Sequence, residues 1–121
     1  MPKTLMILVA GPYRSGTNDD PALIELNVTA MTKAAWDVYQ KGHLPVLGEW
    51  FALPLIEMAG SKTTGDKIFN QIFHPVAIQL LYRCDAVLRI GGASSGADEM
   101  VSVGQKNNKT IFYSLDEIPT N

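Results

Sequence analysis

At 121 residues the chain has room for one compact domain and not comfortably for two. Its 46% hydrophobic and 18% charged residues describe an ordinary globule, and a net charge of −2 without a basic run argues against nucleic acid as a partner. The single cysteine, Cys84, excludes an internal disulfide and fits a reducing, cytoplasmic setting; Leu5–Ala10 is too short for a membrane span and lacks a secretory cleavage pattern.

The run Leu5–Ala10 is apolar without alternation, the signature of a central strand covered on both faces. It breaks into the polar loop Gly11-Pro12-Tyr13-Arg14-Ser15-Gly16-Thr17-Asn18-Asp19-Asp20. Pro21 after a capping Asp20 then predicts a helix start, and Leu23, Leu26, Ala30, Met31, Ala34, Ala35 and Val38 repeat at helical spacing up to Gly42. His43–Leu47 predicts a short second strand that lies at a sheet edge or bends at Pro45, because proline has no N–H to donate to a ladder. Next come a short helix expected after Pro54, a polar lid-like loop over Ser61–Lys67, and a helix expected to open at Pro75 with Val76, Ala77, Leu80, Leu81 and Cys84 on one face. A cysteine on that face reads as a core thiol.

Ala86-Val87-Leu88 and Ile90 predict a third buried strand. It ends in Gly91-Gly92-Ala93-Ser94-Ser95-Gly96, after which Ala97, Met100, Val101 and Gly104 resume helical spacing. Lys109–Ser114 is the last strand, with one further turn over Leu115–Ile118. Strands alternating with helices imply a parallel sheet with right-handed crossovers, hence a single three-layer α/β/α domain over 1–121 with four to five strands. The order 2-1-3-4 puts a topological switch between the first and third strands, so the loops at Gly11 and Gly91 face one crevice.

That crevice is the predicted site. The Gly11 loop offers Tyr13, Arg14 and Ser15; the Gly91 loop offers Arg89, Gly91, Gly92, Ser94, Ser95, Gly96, Asp98 and Glu99. Glycines allow close backbone approach, and the amides at a helix start favour an anion. Hydroxyls and an arginine suit a sugar or phosphate, and Tyr13 or Trp50 suits a base. Monophosphates are therefore expected to outcompete nucleosides. Neither a Walker motif nor the dinucleotide glycine fingerprint is present, and His43 and His74 are too isolated to argue for a metal. Plainer readings stand beside these. Asp98 and Glu99 equally complement a helix dipole, the glycines equally make a tight turn, and Arg89 needs a partner such as Asp85, Asp98 or Glu99.

The opening Ile7-Leu8-Val9-Ala10-Gly11-Pro12-Tyr13 resembles that of nucleoside 2-deoxyribosyltransferase-like proteins. Asn27 and Ala34 with Gly42–Val46 resemble the family's first helix and second strand. Arg83–Leu88, Ser94-x-Gly96-Ala97 and Lys109–Ser114 resemble its small uncharacterised branch. The resemblance implies a flavodoxin-like fold, a homodimer or higher homo-oligomer, and no metal or organic cofactor. It also implies cleavage or transfer at the N-glycosidic bond of deoxynucleosides or their monophosphates through a carboxylate nucleophile. By that resemblance Glu99 is the expected nucleophile, one residue earlier than the family spacing from Ser94, where Met100 holds the usual slot; Asp98 is its competitor. The apolar Trp50, Phe51, Leu53 and Leu55 add to the expectation of an oligomer. The alternative function is a non-catalytic nucleotide-binding or sensing module.

Overall fold

A computed structural model describes residues 3–121. Strand β1 (Met6–Ala10) leads through α1 (Pro21–Gln40) to β2 (Leu44–Val46). Two consecutive helices, α2 (Gly48–Met58) and α3 (Lys67–Leu81), then cross to β3 (Ala86–Arg89). Helix α4 (Ser95–Lys106), β4 (Thr110–Phe112) and a 3₁₀ turn at Leu115–Glu117 complete the chain. The four strands are parallel in the order β2-β1-β3-β4, with Leu8 opposite both Val46 and Val87 and Leu88 opposite Phe112. This is the flavodoxin-like arrangement expected from the sequence, with Pro45 on an edge strand.

Side chains alternate across a strand, so β1 serves two cores at once. Ile7 and Val9 pack with Ala86 and Leu88 beneath Met31, Ala34, Ala35 and Val38 of α1. Leu8, Ala10 and Val87 pack on the other face beneath Leu80 and Leu81 of α3 and Ala97 and Met100 of α4. Cys84 belongs to this second core at 1% exposure, and burial raises its thiol pKa to about 11. At the opposite end of the sheet from the crevice, Asp85 accepts from the Met6 amide at 2.8 Å, tying β1 to the start of β3.

The two crossing helices begin earlier than their prolines suggest. Helix α2 starts at Gly48, with Pro54 inside it, and α3 starts at Lys67, with Pro75 inside it. Asp66 sets the second boundary. Its carboxylate accepts from the Phe69 amide at 2.9 Å, from Ser61 Oγ at 2.8 Å, and from the amides of Lys62 and Thr63. These bonds, the Phe69 amide foremost, depress its pKa to about 2. The loop over 61–66, expected to be lid-like, is thereby folded around one side chain. A third apolar cluster joins Ala52 and Ile56 of α2 to Phe69 of α3, with Tyr13 and Phe73 packed against it. Trp50, Phe51 and Leu55 remain 45–53% exposed on the outer side of α2. Among the described residues no helix is long and apolar enough to cross a membrane.

Candidate functional site

The sheet order brings the loops after β1 and β3 side by side, and they touch. Gly91 has φ +79°, and a Cβ there would fall 2.6 Å from Pro12 Cδ, so a side chain would be both strained and in collision. Arg89 braces the same turn. Its guanidinium donates to the carbonyls of Ile90 and Gly92 and to Asp98 Oδ1, the last two at 2.9 and 3.2 Å. These contacts fix the turn after β3. The open space between the two loops is a cavity of about 520 Å³ at the carboxyl end of β1. That volume is in the range of small-molecule sites.

Seven of the residues expected from the sequence line this cavity: Gly11, Tyr13, Arg14, Ser15, Ser94, Ser95 and Gly96. Arg89, Gly91, Gly92, Asp98 and Glu99 are not among its lining. The first three build the turn behind it. Asp98 holds Arg89, and Glu99 points its Oε2 to within 2.9 Å of His74 Nε2. That contact has ion-pair distance without hydrogen-bond alignment, and the His74 nitrogen is sealed from solvent.

The Gly11 loop is held from two sides. Asn27 of α1 donates to the Tyr13 carbonyl at 3.0 Å, and Arg14 forks onto Asp19 with contacts of 2.7 and 2.9 Å. The Asp19 hydrogen bond raises the guanidinium pKa, and the same bond holds Asp19 below its usual value. Arg14 also lies 5.5 Å from the centroid of Phe69. Its charge is thus already answered by a carboxylate. On the opposite wall Ser94 caps α4, accepting from the Ala97 amide at 3.1 Å. The preceding amides of Ser95 and Gly96 have no intrahelical partner and are left for solvent or a ligand.

Three aromatic rings cluster along the wall, Phe69 and Phe73 stacked with centroids 4.9 Å apart and Tyr13 tilted against Phe73 at 5.2 Å. Phe69, Phe73 and His74 all come from α3 and line the cavity with Asn70 and Ala77. Composition alone does not single them out, since the same apolar spacing serves any packed helix.

Glu49 is the residue that motif reasoning passes over. It sits in the first turn of α2, lines the cavity and is only 5% exposed. Among the described residues it makes no hydrogen bond and no ion pair, yet neither carboxyl oxygen is sealed from solvent, which leaves the cavity as their outlook. A helix start would favour its charge, but burial prevails and lifts its pKa to about 7. Tyr13 registers the same environment: burial first, then the Glu49 charge, raise its phenol pKa. Gly48 makes the placement possible. A Cβ at that position would lie 2.8 Å from Ala77 Cβ, so only glycine lets the start of α2 tuck against α3. The available signal was positional, a carboxylate directly after a strand whose carboxyl end borders the switch point.

Among the described residues no cluster of three or more His, Cys, Asp or Glu is placed to hold a metal ion. No protein-family model and no curated protein matches the chain.

Proposed function

We propose that the protein binds a nucleoside or nucleoside monophosphate and cleaves or transfers at its N-glycosidic bond through a carboxylate. The observation that carries this reading is the content of one cavity: an aromatic wall, free amides at a helix start, and an unpaired carboxyl group. An aromatic wall suits a base, and the Ser95 and Gly96 amides suit the hydroxyls or phosphate of the sugar end. A carboxyl group in a water-poor setting is the usual instrument for breaking a glycosidic bond. The resemblance of Ala10-Gly11-Pro12-Tyr13 and Ser94-x-Gly96-Ala97 to nucleoside 2-deoxyribosyltransferase-like proteins supports the same ligand class.

The test is calorimetric titration with the four common 2′-deoxynucleosides and their 5′-monophosphates, followed by chromatographic assay for released base. Binding with base release is expected. Binding without release from any of the eight would leave a nucleotide-binding module, and absence of binding would remove the ligand class as well.

A further inference from the structure

We infer that Glu49, rather than a carboxylate of the Ser94–Met100 turn, is the catalytic acid of this cavity, handing its proton to the departing base. The inference rests on the proposed glycosidic chemistry and adds to it the identity and role of the reacting group. Geometry selects Glu49 over its rivals. Asp98 is 71% exposed at its side chain and occupied by Arg89; Glu99 is 54% exposed and turned to His74. Glu49 alone of the three lines the cavity, and it is buried without a partner.

A carboxyl group in that position is about half in the neutral acid form near pH 7 and largely so below it, and this is the form that donates a proton. As the C1′–N bond breaks, its electron pair passes to the base nitrogen and the Glu49 proton passes to the base. A water oxygen bonds to C1′, and the proton it sheds returns to the Glu49 carboxylate. The sum is nucleoside plus water giving free sugar plus base, with Glu49 restored. Tyr13, Arg14 and Asp19 of the first loop, His74 of α3 and Glu99 of α4 are the other charged or titratable groups around the space. Arg14 is neutralised by Asp19, so none supplies Glu49 with an unpaired cation.

The experiment compares wild type, Glu49→Gln and Glu99→Gln on the same eight deoxynucleosides and monophosphates from pH 5 to 9, with folding checked by circular dichroism. Wild-type kcat should fall as pH rises through about 7. Glu49→Gln should lose about 10²–10⁴-fold in kcat with KM nearly constant, and lose that pH dependence. Formate added to Glu49→Ala should restore part of the rate, which a merely structural role would not allow. Glu99→Gln should lose less than Glu49→Gln. A Glu49→Gln rate within tenfold of wild type, or a Glu99→Gln loss as deep as that of Glu49→Gln, overturns the assignment. If wild type binds but releases no base, glycosidic cleavage falls, and the assignment of Glu49 as its catalytic acid falls with it. Absence of both binding and release overturns both.

Discussion

Two glutamates stand on either side of α3 and have opposite surroundings. Glu99 lies in the motif that draws the eye, in the first turns of α4, yet it is 54% exposed at its side chain and paired with His74. Glu49 lies in a stretch with no motif, yet it is 5% exposed, unpaired and turned to the cavity. The contrast is one of solvation. An exposed carboxylate keeps its water and its charge; a buried one without a partner gives up the charge first. A motif marks where the backbone turns, whereas reactivity depends on which side chain the packing strips of water.

The largest effect that tests this contrast is the pH dependence of stability. The Glu49 pKa rises on folding from 4.5 to about 7, so the folded state holds this proton more tightly than the unfolded chain. Its stabilising contribution is complete below pH 4.5 and is lost as pH rises through 7. One pKa unit corresponds to about 1.4 kcal/mol, so the stability difference between wild type and Glu49→Gln should shift by about 3 kcal/mol between pH 4 and pH 8. The variant gains on the alkaline side. For a domain of this size that is about 10 °C in relative Tm by differential scanning calorimetry. Parallel Tm curves for the two proteins across this range would show that Glu49 is as well solvated as Glu99.

The second effect concerns how Glu49 reaches its place. Gly48→Ala puts a methyl 2.8 Å from Ala77 Cβ and 3.3 Å from its Cα, so the start of α2 must move off α3. Overpacking of this kind costs about 1–3 kcal/mol. Ala77→Gly should recover much of that loss despite the ordinary penalty of glycine in a helix, giving a coupling of at least ~0.5 kcal/mol in a denaturant double-mutant cycle. An additive cycle would show that the two residues do not set each other's position.

The same two residues explain how far the sequence carries. The strand runs at Leu5, Leu44, Ala86 and Thr110 and the caps at Asp20 and Ser94 are local signals, and topology converts them into a sheet order and a site. That reasoning places Gly11, Tyr13, Arg14, Ser15, Ser94, Ser95 and Gly96 around the cavity. It does not reach Glu49, His74, Phe69 or Phe73, because their position depends on two helices packing on each other. Pro54 and Pro75 also misdirect, reading as helix openers while both sit on exposed faces inside helices. A proline there loses one amide bond but meets no packed neighbour. The Arg14–Asp19 fork and the cluster around Asp66 are likewise invisible, since nothing in residue spacing tells which carboxylate a loop will fold around.

The smallest effect is the one expected at Glu99, and its smallness is informative. The His74–Glu99 contact joins side chains that are 33% and 54% exposed and lacks hydrogen-bond alignment. Pairs of this kind contribute roughly 0–1 kcal/mol, because water screens the attraction and ordering two side chains opposes it. Glu99→Gln removes that contribution and keeps the size of the side chain, so the loss at pH 7 should stay below about 1 kcal/mol. Added salt should shrink it further, as it does for any exposed pair. Chemical denaturation at low and at 0.5 M salt measures it. A loss of several kcal/mol that persists at high salt would mean that Glu99 is desolvated in the folded protein, and the distinction between the two glutamates would collapse.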